Sequence, residues 1–344
     1  MSGQTPLRIG VVGFGYWGPN LVRNVHKLAD SDLVAVCDAA PVNLAKFTSA
    51  YPDVPVCASL EEMLATHEVD AVVVATSAPS HHAVARAVLE AGKHCFVEKP
   101  LTLTSEDAAE LVKLADEHDL ILMVGHLMVY HSAVNYIKDV IDSGELGDVM
   151  YLYAQRLNLG KVRTEENAFW SLAPHDVSIV NYLLGEAPDS VSATGAAYLN
   201  PGVEDTVFAN LHFASGRMAN IHVSWLDPHK TRKFTIVGTK KMLVFDDMAA
   251  TEKIWIYDKG VGAPADALGY REDLTLRFGD ITVPHVTMTE PLSLEVQHFI
   301  DCCRSGERPR SSGRDGLEVV RVLEAVSESI AAGGAPVATG LEVS

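Results

Sequence analysis

Through the first 124 residues, short apolar runs alternate with helical periodicities. Leu7 to Val12 reads as a strand, and Pro19 to Leu28 as a helix with Leu21, Val25 and Leu28 on one face. Leu33 to Cys37 is a second strand. Ser59, followed by Glu62, forms a capping box that opens another helix. Ala71 to Ala75 is a strand, Ser80 to Ala91 a helix with Gly92 as its cap, and His94 to Val97 a strand. Thr104 to His118 is a helix and Ile121 to Val124 a strand. Strands apolar throughout and separated by helices suit a parallel sheet covered on both faces. An α/β domain over residues 1–124 is the expectation.

From residue 125 to 344 the pattern changes, which predicts a second domain. A helix over Ala133 to Ser143 ends in Gly144, Val149 to Arg156 reads as a strand, and Val177 to Leu184 is helical. Several strands follow from Val191 to Phe245, with turns at Pro201-Gly202 and Ser215-Gly216. Ile221, Val223 and Trp225 alternate with His222 and Ser224, as in a sheet with one face on a core. Lys240-Lys241 marks a hairpin turn. Asp258 to Asp280, rich in glycine, proline and charge, reads as a long loop or insertion. Ser293 to Cys303 and Leu317 to Ile330 close the chain as amphipathic helices.

The 344 residues, 48% apolar, are enough for two ordinary cores. The net charge of −18, from 45 acidic and 27 basic residues, argues against nucleic-acid and anionic-membrane partners. Met1 to Pro6 is short and polar, and the run after it is too brief for a signal peptide's apolar core. No stretch approaches the ~18 apolar residues of a membrane span. A cytoplasmic location is expected. Five cysteines without zinc-type spacing predict neither a disulfide framework nor a structural metal. Cys302-Cys303 reads as small apolar positions on a helix rather than a redox pair.

Chemistry enters with Gly13, Gly15 and Gly18, a G-x-G-x-x-G run between the first strand and the first helix. Gly13 permits the tight turn, Gly15 lets a pyrophosphate approach, and Gly18 allows close helix–strand packing. The helix N-terminus offers N–H groups and partial positive charge to phosphates. Phe14, Tyr16 and Trp17 complete this loop. Asp38, at the end of the second strand, stands where a carboxylate accepts hydrogen bonds from the adenosine ribose. It would repel the extra phosphate of NADP, and no arginine follows in Ala39 to Val42, so NAD is the expected cofactor. Thr76, Ser77, Pro79 and His81 follow the next strand and join the cofactor-binding set. Glu98, Lys99 and Pro100 end the strand after that, at the carboxyl edge where ligands of open parallel sheets bind. A lysine there can stabilise a developing alkoxide. His82 lacks an apparent third ligand, so no metal is expected.

The run Val11 to Asn20, followed by Glu98-Lys99-Pro100, resembles the glucose–fructose oxidoreductase/inositol dehydrogenase/rhizopine-catabolism (Gfo/Idh/MocA) family. Ser143 to Gly147 and Glu290-Pro291-Leu292 extend the likeness along the chain. The resemblance implies a Rossmann domain followed by an α+β domain with a large, mostly antiparallel open sheet. It implies oxidation or reduction of a sugar or polyol carbon, often C3, and a homodimer or homotetramer formed through the exposed sheet face. It maps a catalytic lysine onto Lys99 and a proline, usually preceded by a cis bond, onto Pro100. The family's Asp-x-Gly-x-His motif finds its match in Ser171 to His175, with Ser171 and Ala173 departing from it. His175 remains as general acid/base, a role suited to a side chain that titrates near neutrality, and Asp176 as its orienter.

Just before His175 lies a segment with Arg156, Asn158, Lys161, Arg163, Asn167 and Trp170, whose arginines suit a carboxylate or phosphate. With His126, after the last parallel strand, and with His175 and Asp176, the residues Arg156, Asn158, Arg163, Asn167 and Trp170 make up the expected substrate-binding set. The reading is a dehydrogenase or ketoreductase of a nucleotide-linked sugar, such as a UDP-N-acetylhexosaminuronate. A dehydrogenase of free inositol or a simple sugar is the alternative, and a non-catalytic NAD-binding sensor the alternative of another class.

Overall fold

The apolar run that opens the chain forms β1 (Leu7–Val12), whose last four residues are buried. The computed structural model describes residues 5–262 and 275–340. After β1 come α1 (Gly18–Lys27), β2 (Ser31–Cys37), α2 (Pro41–Ala50), β3 (Val56–Cys57), α3 (Leu60–Thr66), β4 (Ala71–Val74), α4 (His81–Glu90), β5 (His94–Glu98), α5 (Ser105–Glu117) and β6 (Leu122–Gly125). The strands form one six-stranded sheet in the order β3-β2-β1-β4-β5-β6, parallel at every pairing. This is the expected doubly wound arrangement. The capping box forms: Ser59 Oγ accepts the Glu62 N–H, and the Glu62 carboxylate accepts the Ala58 N–H. The sequence pattern carries no expectation for α2, which buries only Phe47 and so leaves little amphipathic signal.

Next in the chain are α6 (Ser132–Asp142), β7 (Val149–Leu157), α7 (Ala168–Leu172), α8 (Pro174–Leu184), β8 (Ser190–Ala196), β9 (Thr206–His212), β10 (Met218–Ser224), β11 (Thr231–Gly238), β12 (Met242–Asp246), β13 (Ile254–Gly262) and β14 (Thr275–Thr282). α9 (Pro291–Ser305), α10 (Gly313–Ala331) and β15 (Val337–Ala338) end it. The second sheet has nine strands in the order β14-β13-β12-β11-β7-β10-β9-β8-β15. Its pairings are antiparallel except β7 with β10. Leu152, Ala154, Ile221 and Val223 point to its buried face, while Tyr153, Phe208 and Met218 lie exposed.

Two expectations change. Asp258 to Asp280 is not one loop: residues 258–262 belong to β13 and 275–280 to β14, while 263–274 lie outside the described residues. The pair ends the sheet, and Leu276 and Phe278 are exposed, so no one-sided alternation marks these strands. The chain also does not divide by a single cut after residue 124. One compact unit comprises residues 1–130 and 289–320, the other 131–288 and 321–344. α9 packs in the first unit, where Phe299 meets Phe96 edge-on at 5.8 Å and Glu290 pairs with Arg23. Periodicity reports that a helix has an apolar face but not which core receives it. Among the described residues, no helix is long and apolar enough to cross a membrane.

Candidate active site

The order of the parallel sheet reverses between β1 and β4, and a crevice opens at the carboxyl ends of strands at such a switch point. Two of the three glycines there answer to the protein's own packing. Gly13 has φ +102°, and a side chain on it would meet the Ala75 carbonyl carbon at 2.6 Å. One on Gly18 would collide with the Gly13 carbonyl. Gly15 is different: a side chain there would touch nothing within 4 Å. The loop therefore keeps open space on its outer side at the residue expected to face a pyrophosphate. α1 begins directly after it without a side-chain cap; Pro19 in its first turn has no N–H and the Asn20 N–H donates to the Trp17 carbonyl, so the turn's positive end, more than its free N–H groups, faces a ligand. These features fit a bound dinucleotide.

Asp38 reaches the same loop. Its carboxylate accepts the Phe14 N–H at 2.6 Å, the Ala40 N–H at 2.7 Å and the Asn43 side-chain amide. These bonds fix the acidic group beside the glycine run.

Thr76, Ser77 and Pro79 follow β4, and Ser80 Oγ donates to Thr76 Oγ1 at 2.8 Å. The Lys99–Pro100 peptide bond is cis. His81 faces inward, only 1% exposed, with Nδ1 2.8 Å from the Pro100 carbonyl oxygen and Nε2 3.2 Å from that of Thr76. Burial, aided by Lys99, holds its pKa below the usual histidine range. His81 thus joins the backbone turns at Pro100 and Thr76. His126 is 1% exposed as well, and burial beside Lys99 takes it down to about 3. Its ring nitrogens bond to nothing among the described residues. Glu98 accepts the Lys99 N–H at 3.2 Å, and burial pushes it up to about 7.

Sequence reasoning missed Glu295 on α9. It is fully buried, its two oxygens accept no hydrogen bond among the described residues, and burial together with Glu98 raises it well above the usual carboxyl range. The signal was present: Glu295 shares the i, i+3, i+4, i+7 stripe of Leu292, Val296 and Phe299.

In the second unit, His175 sits in the first turn of α8, after Pro174, and its carbonyl accepts the Ser178 hydroxyl at 2.9 Å. Asp176 pairs with Arg156. Arg156 Nε donates to Asp176 Oδ2 at 2.7 Å and Nη2 to Oδ1 at 2.9 Å, with both side chains almost wholly buried. Asn167 is the N-cap of α7: its Oδ1 accepts the Phe169 and Trp170 N–H groups, and its amide donates to Glu204. The Trp170 indole N–H donates to Ser327 Oγ at 3.0 Å. Arg156, Asn167 and Trp170, all in the expected substrate set, therefore each have a partner within the protein's own framework. Arg163 is about half exposed and pairs with Glu166 at 3.0 Å. Asn158 continues the β7–β10 pairing through its N–H to the Ser224 carbonyl.

His82 does gather carboxylates: Glu110 lies 3.0 Å from its Nε2 and Asp107 3.8 Å from its Nδ1. The third ligand that the sequence did not show is therefore present, with ligand atoms of His82, Asp107 and Glu110 all within 4.8 Å of one another, and Arg86 also engages Glu110. Burial pushes the Cys302 thiol up to about 11 and raises Cys303, so both stay protonated and unreactive at neutral pH.

A 3-2-1-4-5-6 parallel sheet, a glycine loop open at Gly15 and a lysine at the carboxyl edge define a nicotinamide-dinucleotide oxidoreductase with a second, sheet-based domain. The profile of the oxidoreductase family with NAD-binding Rossmann fold (GFO/IDH/MocA) matches residues 7–126, and that of the GFO/IDH/MocA C-terminal domain residues 134–244. The chain belongs to this family. The UDP-N-acetylglucosamine 3-dehydrogenase of Acidithiobacillus ferrooxidans is 29% identical over 325 residues, 93% of this chain and 95% of that protein. A solved structure of that enzyme superposes with a TM-score of 0.79 over 96% of this chain and 99% of its own, at 26% identity. The inositol 2-dehydrogenase of Rhizobium meliloti is 26% identical over 338 residues, 94% of this chain and 97% of that protein. The WlbA dehydrogenase of Bordetella pertussis, solved with NADH and UDP-GlcNAcA, shares the fold at 24% identity and a TM-score of 0.81, over 98% and 99% of the two chains.

Proposed function

We propose that this oxidoreductase moves a hydride between NAD and C3 of a nucleotide-linked sugar. The carrying observation is the likeness to a UDP-N-acetylglucosamine 3-dehydrogenase across 93% of the chain. A dehydrogenase of free inositol is the second reading, favoured by the likeness to inositol 2-dehydrogenase over 94% of the chain. The basic segment before α8 adds less to the first reading than its composition promised, because Arg156 is bound to Asp176 and Arg163 to Glu166.

In the proposed reaction the bound nicotinamide accepts or supplies the hydride. Lys99 hydrogen-bonds the reacting oxygen and stabilises its developing charge. His175 takes the hydroxyl proton during oxidation and returns it during reduction. The Gly13–Gly18 loop and the turn at Thr76, Ser77 and Pro79 hold the cofactor, and Asp38 selects NAD over NADP. His126, Asn158 and Arg163 remain as substrate contacts. The exposed face of the second sheet joins copies of the chain into a homodimer or homotetramer.

One assay tests the chemistry. Purified protein is given NAD or NADP with UDP-N-acetylglucosamine, its uronate, glucose or myo-inositol, and reduced cofactor is followed by absorbance. A UDP-sugar with NAD should react best, and Lys99→Met or His175→Ala should cost ~10²–10⁴-fold in turnover. The reading fails if glucose or myo-inositol is the best substrate, or if His175→Ala turns over at the full rate.

A further inference from the structure

From Ala173 through the middle of α8 to Val180, every residue is buried except His175, which is partly open to solvent. The helix begins without a side-chain cap, and Val177, Ile179, Val180 and Leu183 supply its buried apolar surface. Apolar contact is non-directional: it holds a helix on a sheet without fixing the helix's rotation about its own axis. A directional tie reaches the first turn from β7. Arg156 gives Asp176 two parallel hydrogen bonds, Nε to Oδ2 at 2.7 Å and Nη2 to Oδ1 at 2.9 Å, with the side chains 8% and 1% exposed. Across the ladder Arg232 stands opposite Arg156, but it pairs with Asp247 at 3.6 Å, which leaves Asp176 to Arg156. Asp176 is the acidic residue of this turn, and Ser171 holds the position of the family's aspartate.

We propose that Arg156 and Asp176 are positioning residues: their buried, two-bond pair fixes the first turn of α8 and with it the direction in which the His175 imidazole projects. The inference rests on the acid/base reading of His175 and lies wholly within the second unit. Successive residues of a helix point about 100° apart around its axis. Asp176 drawn inward to β7 therefore turns His175 to one defined side. The planar fork of arginine sets both the distance and the plane of the carboxylate, which a lysine ammonium does not. A buried ion pair adds little stability over apolar packing, so its use here is to select one arrangement.

The test uses the intact protein and two readouts. In protein carrying isotope-labelled histidine, the His175 ring signal is identified by its loss in His175→Ala. Arg156→Lys keeps the charge and removes the fork; the His175 signal should shift or broaden. Turnover of whichever substrate reacts should fall ~10²-fold, the cost of a small displacement of a reacting group, with NADH affinity unchanged. If Arg156→Lys does not fold, Asp176→Asn, which keeps the size of the acceptor, should give the same two changes. Leu183→Ala, about two turns farther along α8, is the control for a merely structural loss. It should lower the unfolding midpoint and leave the ring signal and turnover as in wild type. The proposal is overturned if the pair variants leave signal and turnover unchanged, or if Leu183→Ala lowers turnover as much for the same loss of stability. Full turnover in His175→Ala would instead strike the acid/base reading, and the ring signal still decides whether the pair positions this side chain.

Discussion

At the scale of single residues, two charged side chains lie on apolar stripes and are held there by opposite means. Arg156 follows Leu152 and Ala154 on the buried face of β7 and meets Asp176 with two parallel hydrogen bonds. Breaking such a pair would strand an ion away from water, which is costly even where the intact pair adds little. Glu295 has no such counter-charge among its causes of shift; burial and Glu98 both raise its pKa. On that direction folding favours the protonated form of Glu295, whereas the unfolded chain releases the proton above about 4.5. Stability is lost as pH rises from that value towards the raised folded one. Glu295→Gln cannot titrate, so its advantage over wild type in thermal or urea unfolding should be small near pH 4. It should grow at higher pH by at most ~1.4 kcal/mol per unit. An advantage independent of pH would mean that Glu295 is ionised and compensated in the folded state.

At the scale of elements, caps account for residues whose composition suggested a ligand. α7 is one short turn between an irregular segment and α8, and Asn167 satisfies two of its first N–H groups. Aspartate can supply the same acceptor, whereas alanine cannot. Asn167→Ala should lower unfolding free energy by about 1 kcal/mol; Asn167→Asp should lose the amide bond to Glu204 yet keep most of the cap. Once a substrate is found, neither variant should change its Michaelis constant by more than about twofold if Asn167 acts only as a cap. A rise in that constant with unchanged stability would restore Asn167 to the substrate set. The glycine loop is the opposite case. There the element was readable from spacing, and the structure adds why two positions are glycine, the close packing at Gly13 and Gly18, while Gly15 borders open space.

At the scale of the whole molecule, the second sheet has one face covered and one face carrying Tyr153, Phe208 and Met218, which are 36%, 46% and 52% exposed. An apolar surface of this kind suits association between copies of the chain. The net charge of −18 opposes it, so salt should strengthen the proposed oligomer rather than dissolve it. Phe208→Glu places a charge beside His222, on which Phe208 stacks at 4.1 Å, and should yield monomers in sedimentation or light scattering. A wild type that is monomeric at all salt concentrations, or a variant of unchanged mass, would remove this face as the interface.

The parallel sheet, its glycine loop, Asp38 and the Glu98-Lys99-Pro100 strand end were determined by the sequence alone. Each is a local pattern: a strand, turn and helix within tens of residues whose backbone demands specific residue types. The family's second signature was legible only as far as His175. Three things waited for the tertiary structure: the packing of α9 with the first unit, the strand pair that occupies both ends of 258–280, and the partners of Arg156, Asp176, Asn167 and Trp170. Periodicity says that a side chain faces inward, and composition says that it carries charge. Neither says whether a partner distant in sequence is already there to meet it. Asp176 lies twenty residues from Arg156 and Ser327 lies 157 from Trp170, separations that only the folded chain closes.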